Sequence, residues 1–274
     1  MTNLQPSAKR VRVVSLPWYD LPSAHRALNG FWSILRGALH AEGVERLPLE
    51  LERTTPLKTQ WSHPDLLLSQ CCGLDLFTPA AHALSPIGRP VFSDLACEPG
   101  HYFSYIVSVS GANLSSKRPA RIAINSPSSR SGCTALLGWL KARDWTPQQV
   151  RVSGSHQASA NLLRRGLVDV AAIDAHSWTL LERGGLEIIG RTAEAPTPPF
   201  VSHCECDVPK AVLLRVLREG VARGGKEVRI REVMPVDREV YRSLADEAAC
   251  LLGAEVAERL KISGAESMCG VACT

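Results

Sequence analysis

Hydroxyl, guanidinium, imidazole and carboxylate groups crowd into three short turns between Asn125 and His176. The first reads Asn125-Ser126-Pro127-Ser128-Ser129-Arg130-Ser131-Gly132, the second Ser153-Gly154-Ser155-His156-Gln157-Ala158-Ser159, and the third Asp174-Ala175-His176. The apolar run Arg121–Ile124 precedes the first turn and an apolar-periodic run from Cys133 to Leu140 follows it. A strand, a Ser-rich turn and a helix in that order make an oxyanion site. Hydroxyls and the unpaired N–H groups of the helix start converge, and the helix dipole favours negative charge there. Ser129, Arg130, Ser131 and His156 are the expected ligand contacts. Asp174 and His176 belong to the same set. A carboxylate near an anion repels it unless it pairs with Arg130 or a histidine, takes a proton from the ligand, or meets an amine or hydroxyl on the ligand's substituent. Asp174 is equally well placed to cap the next helix.

The elements that must carry these turns alternate strand and helix, with short connections. This pattern predicts parallel pairing, and the ligand then sits beyond the carboxyl ends of the strands. Val150–Val152 and Asp169–Ile173 supply the second and third strands of this lobe, and Leu186–Thr192 its last. Upstream, Val11–Leu16 reads as a strand ending in Pro17-Trp18-Tyr19-Asp20. Ser23 is the expected cap of an amphipathic helix running through Phe31, Ile34, Leu35 and Leu39 to Gly43. Leu47–Leu51 and Asp65–Gln70 read as strands with Trp61–Pro64 as a turn, and Ile87–Phe92 as a fourth strand. Trp18, Tyr19 and Gln70 fall at strand ends, where they wall a ligand or cap a core. Tyr102 opens an aromatic-rich strand, 101–109, expected to be the first crossing between lobes. The polar stretch 110–117 then leads into the second lobe, and the proline-rich 195–200 fits the return hinge. Val208–Ala222 reads as a helix, Glu227–Val233 as a strand and Asp237–Leu252 as a helix. The tail after Lys261 reads as loose. The expected division is 1–103 plus 197–274 for a discontinuous first lobe and 104–196 for the second, with two crossings that permit hinge bending.

The three turns resemble those of the phosphate and phosphonate solute-binding proteins of ABC transporters. That resemblance extends from Ser15-Leu16-Pro17-Trp18-Tyr19 to the helical C-terminal part and is sharpest in the central lobe. It implies an α/β, two-lobed, type II periplasmic-binding-protein-like fold. Each lobe would be a mostly parallel sheet flanked by helices, with the ligand cleft between lobes. In that family a Ser-x-Ser-Gly turn at a helix start and a Gly-x-His turn grip the anion's oxygens, which points to Ser129, Arg130, Ser131 and His156. Two departures stand out. Arg130 takes the place of a small hydroxyl residue, and His176 falls near where some members have an acidic one. The resemblance implies a small anionic ligand, an ABC permease as partner, a monomer, and no cofactor. It also implies a Cys72–Cys97 disulfide if the chain is exported. Free buried thiols acting as small apolar residues are the other reading.

The composition agrees with a soluble globular chain. It has 274 residues, 45% of them hydrophobic and 21% charged, enough for two lobes of ordinary size. A formal charge of +4 suits an anionic ligand, while Lys and Arg are scattered and form no nucleic-acid footprint. No run is long enough for a membrane span. Met1–Arg10 has no apolar signal core, so the expected location is periplasmic if a leader was removed and cytoplasmic otherwise. The nine cysteines cannot all pair internally, and no metal site is expected from their spacing. A second function class is a cytoplasmic enzyme of the same fold acting on a small carboxylate or phosphate-bearing metabolite, resembling chorismate dehydratase, with His156, Asp174 and His176 as acid–base groups. The cysteine-rich signature of the pyrimidine synthases of thiamin biosynthesis is not seen. The effector domain of a transcription regulator would need a DNA-binding segment that the N-terminal sequence does not show.

Overall fold

The computed structural model describes residues 10–112 and 121–253. The N-terminal stretch, the later part of the polar connection at 110–117 and the tail after Lys261 lie outside the described residues. Contacts divide the chain into two units. Unit 1 comprises residues to Cys71, Ala80–Ser93 and Pro198–Asp237; unit 2 comprises Cys72–Pro79, Asp94–Thr197 and the chain from Arg238.

In chain order, β1 (Val13–Val14), α1 (His25–Ala41), α2 (Leu57–Trp61), β2 (Leu66–Gln70) and β3 (Leu84–Phe92) belong to unit 1. Unit 2 takes β4 (His101–Tyr102), β5 (Ser104–Val109), β6 (Arg121–Ile124), α3 (Ala135–Lys141), β7 (Gln149–Val152) and α4 (His156–Arg164). It continues with β8 (Val170–Asp174), α5 (Ala175–Leu180), β9 (Leu186–Arg191) and β10 (Ala195–Pro196). The chain returns to unit 1 for β11 (Phe200–His203), α6 (Lys210–Gly224) and β12 (Ile230–Pro235), and α7 (Arg242–Leu251) ends in unit 2.

Burial explains each unit's frame. The apolar stripe of α1, through Leu28, Phe31, Trp32, Leu35 and Leu39, is buried, as its helical spacing requires. Every residue of β2 is buried, matching its continuous apolar run. The sheet of unit 1 has the order β1-β2-β11-β3-β12, and that of unit 2 the order β7-β6-β8-β5-β9. A second buried cluster in unit 2 joins Ile122 and Ile124 of β6, Leu136 and Trp139 of α3, Val170 of β8 and Leu251 of α7.

Several expectations are corrected. The sheets are mixed rather than mostly parallel. In unit 1 only β1–β2 is parallel, while β11 and β12 run against their neighbours. In unit 2 β6 is parallel to β7 and β8, but β5 opposes β8 and β9. The opposed strands lie near the places where the chain changes units. They are not joined to their neighbours by a helix crossover within one sheet, so nothing forces them parallel. No strand forms at 47–51, because Pro48 has no N–H for a ladder and its carbonyl instead accepts from Trp32 Nε1 at 3.3 Å. Ser23 lies inside a short 3-10 turn before α1 and provides no cap. The strand expected at 101–109 is broken in two at Phe103.

By their contacts 72–79, 94–103 and the chain from Arg238 group with unit 2, where the expected lobe boundaries put them in the first lobe. Side-chain packing accounts for the C-terminal part. Tyr241, wholly buried, donates its hydroxyl proton to the Thr197 carbonyl at 2.8 Å. Its ring lies so close to Gly73 that a Cβ there would meet Cδ1 at 2.3 Å. Arg238 donates to the Leu76 carbonyl at 2.8 Å. Gly73→Ala is therefore expected to destabilise the protein by about 1–3 kcal/mol through overpacking. Urea unfolding would show this as a lower midpoint at unchanged slope, and an unchanged midpoint would contradict the packing described.

Candidate functional site

The site is built where β6 ends. Asn125 Oδ1 accepts the Ser126 N–H at 3.0 Å, and Ser128 N donates to Ser126 Oγ at 3.1 Å. Ser129 is extended and caps the following helix, its Oγ accepting Gly132 N at 3.1 Å. Its carbonyl accepts both Cys133 N at 3.2 Å and Thr134 N at 3.1 Å. The second of these bonds spans five residues, so Arg130–Thr134 form a π-helical turn ahead of α3. Arg130 N is directed at Cys72 Sγ, 3.4 Å away. The N–H of Ser131 has no partner among the described residues.

Ser131 is the hub of this arrangement. Its Oγ lies 3.1 Å from His156 Nε2. Its carbonyl accepts from Ser104 Oγ on β5 at 2.9 Å, which fixes the backbone. The Tyr102 hydroxyl lies near enough that the Ser131 side chain acts on its ionisation, pulling it down. Burial holds that phenol well above its ordinary value of 10, with Cys72 and Asp174 adding to the effect and Arg130 opposing it. Tyr102 therefore stays protonated and able to donate.

His156 opens α4, next to the cap Ser155, whose Oγ accepts Ala158 N at 3.1 Å. Its Nδ1 is enclosed and makes no hydrogen bond. Burial lowers the ring's pKa below 6.5, although Asp174 and the Ala172 backbone pull the other way. The imidazole is thus neutral at neutral pH. Arg130 is only 4% exposed, and its Nε finds no hydrogen-bond acceptor among the described residues. The carboxylate facing it is Glu247 on α7, with Oε2 3.6 Å from Nε.

Of the six residues expected in these turns, five fall in this cluster or on its edge, all within unit 2. Ser129 and Asp174 act as helix caps; Asp174 Oδ1 accepts Ser177 N at 2.9 Å at the start of α5. The cap reading of Asp174 is the one observed. His176 is engaged elsewhere. It is buried, and Nδ1 contacts Asp94 Oδ1 at 2.9 Å, while Thr179 Oγ1 donates to Asp94 Oδ2 at 3.0 Å. Trp18, Tyr19 and Gln70 belong to unit 1. There the Trp18 N–H donates to Gln70 Oε1 at 3.3 Å, and Tyr19, at φ 69°, sets its ring edge-on to Phe92 with centroids 5.3 Å apart. Sequence reasoning missed Glu247 and Asp94. Neither lies in a motif, and each reaches its partner only through the fold. Cys72 and Cys97 are not joined. Cys72 is a buried thiol pushed up to about 12, and Cys97 Sγ donates to the His101 carbonyl at 3.0 Å. Among the described residues no group of three or more His, Cys, Asp or Glu is placed to hold a metal, and no helix is long and apolar enough to cross a membrane.

Residues 84–224, just over half of the chain, match the family described as ABC transporter, phosphonate, periplasmic substrate-binding protein. The chain belongs to this family. Its role is accordingly that of a substrate-binding protein of the ABC phosphonate transporter type. The matched span contains the whole Tyr102–Ser131–His156 cluster but stops short of Glu247. No curated protein matches the sequence significantly. Among solved structures, PhnD1 from Prochlorococcus marinus in complex with methylphosphonate is similar at 16% identity and a TM-score of 0.68, covering 89% of this chain and 98% of that one. A binding protein component of an ABC phosphonate transporter from Pseudomonas aeruginosa is similar at 14% identity and 0.63, covering 92% and 94%. XAC2383 from Xanthomonas citri, bound to ATP, is similar at 14% and 0.62, covering 92% and 100%. These likenesses establish the two-lobed periplasmic-binding-protein fold for this family member.

The neutral His156 has a consequence for stability. Its folded pKa lies below the unfolded one, so as pH falls through about 6.5 the unfolded chain takes up the proton first. Stability is then lost until the folded ring protonates as well. Between about pH 7.5 and about pH 5, His156→Gln should therefore lose less melting temperature than wild type. Parallel scanning calorimetry checks this, and equal losses in the two proteins would refute the assignment.

Proposed function

We propose that the chain binds a small phosphonate-, phosphate- or phosphite-like oxyanion on the Tyr102–Ser131–His156 cluster, as the solute-binding component of an ABC transport system. The observation that carries this reading is the unpartnered Ser131 N–H beside its own hydroxyl, at the start of a capped helix. The Ser131 N–H is free to donate, and the Ser131 and Tyr102 hydroxyls and the neutral imidazole can turn their protons to an anion in exchange for bonds to one another, since hydrogen bonds to charge are stronger than neutral ones. Arg130 adds a fixed positive charge. The family supports a permease as partner and the periplasm as the place of action. The methylphosphonate held by PhnD1 supports the ligand class. The protein acts as a monomer and returns its ligand unaltered. His176, engaged with Asp94, does not join His156 in an acid–base pair.

Calorimetry over phosphate, phosphite, methylphosphonate and small carboxylates tests the reading. Ser131→Ala should weaken binding of the preferred anion by about 1.5–3 kcal/mol, the range for hydrogen bonds to charged groups. An affinity untouched by this change would place the site elsewhere. Product appearing after long incubation with wild type would mean catalysis.

A further inference from the structure

The π-turn leaves one group unsettled. Arg130 is among the most deeply buried charged side chains described in unit 2, yet its Nε has no hydrogen-bond acceptor among the described residues. The Glu247 carboxylate at 3.6 Å is too far for a hydrogen bond from Nε, and 39% of that side chain is exposed. Water therefore screens the carboxylate more than the guanidinium it faces. Burying a cation is costly unless it is both paired and hydrogen-bonded, and here the pairing is loose and the bonding incomplete. Arg130 stands next to Ser131 in the same π-turn, and Ser131 meets His156, so the guanidinium belongs to the turn where the anion is proposed to bind.

We propose that Arg130 and Glu247 together set which ionic charge the site accepts, making it select doubly charged oxyanions over singly charged ones of the same shape. The inference rests on the binding reading above. The hydroxyl and imidazole donors recognise oxygen geometry and carry no net charge, so they separate a mono- from a dianion of equal shape less than a cation does. A guanidinium in a poorly hydrated setting attracts the second charge of a dianion strongly. Glu247 opposes it, lowering the affinity for both ions and more so for the dianion. Because Glu247 is half-exposed on α7, its carboxylate can turn into water when an anion takes over the Arg130 Nε.

Two ions of one shape make the test. Methylphosphonate in mildly alkaline buffer is a dianion, and methanesulfonate is a monoanion at any ordinary pH. The full chain should bind methylphosphonate at least about tenfold more tightly by calorimetry, as an added charge near a buried cation requires. Arg130→Gln should lower that ratio several-fold, and Glu247→Gln should raise it while tightening both ions. Glu247 is exposed enough that its variant serves even if Arg130→Gln does not fold. A wild-type ratio near one, or a ratio unmoved by either variant that folds, overturns the proposal. Ser131→Ala separates the two readings. If it weakens both ions while the Arg130 and Glu247 variants leave the ratio alone, the site stands and only the charge selection falls. If Ser131→Ala changes neither affinity, or wild type binds neither ion, the site itself is wrong and the selection falls with it.

Discussion

The missing side chain at Gly132 is the constraint on which the site depends. A Cβ there would lie 2.0 Å from Asn125 Oδ1, so backbone and amide occupy space that any other residue would need. With the helix start pressed onto Asn125, the first residue after β6, the Ser129 carbonyl can serve two N–H groups and the first turn opens to π geometry. The extra residue in that turn separates the roles of its neighbours. Ser129 faces back along the helix as its cap, while Ser131 is turned towards Tyr102 and His156. π-Turns cost helix hydrogen-bond quality and are found mostly where function holds them in place.

The hydroxyls of this region look interchangeable in the sequence and are not so in the fold. Ser129 and Ser155 cap helices, and Ser153 bonds the Ile124 carbonyl and Ser159. Ser126 and Ser128 bond each other. These contacts hold both turns rigid and leave Ser131 with an N–H still to give. Preorganised donors cost little to bring to an anion, because the backbone that aims them is already fixed. The charges follow the same economy. Asp174 spends part of its negative charge on the start of α5, Cys72 and Tyr102 stay protonated, and His156 stays neutral. Arg130 remains as the permanent positive charge of the cluster.

Much of this was legible from the residues. The helical stripe of α1, the continuous run of β2 and the strand–turn–helix order around Ser131 rest on local periodicity, which the fold preserves. The pairing of Ser131 with His156, 25 residues apart, was anticipated only as a shared ligand site, and a direct contact between the two side chains is what forms. Other features were not readable. Strand direction depends on where the chain crosses between units, which no local pattern encodes. Asp174 could cap or bind by the same residue type, and only the fold shows that it caps. His176 looked like a member of the site because it stands two residues from Asp174. Its ring is instead claimed by Asp94, at the beginning of the long middle segment of unit 2. Glu247 reads as one more surface charge on a helix until α7 is seen to pack against the π-turn.

That last contact changes the energetics of the site. In a site of hydroxyls and N–H groups, the donors are satisfied by water when no anion is bound, and binding exchanges one set of hydrogen bonds for another. A buried guanidinium cannot make that exchange so easily. Its Nε finds no acceptor among the described residues, and its carboxylate partner stands beyond hydrogen-bond distance. An anion that supplies the acceptor removes a cost already present in the folded chain, in addition to its own new bonds. Binding and folding stability are then linked through one residue, since whatever satisfies Arg130 favours the native state over the unfolded one. An arginine at this turn that gained an anionic partner would therefore do more than add a contact, because part of the binding energy would come from the protein's own unmet demand for negative charge.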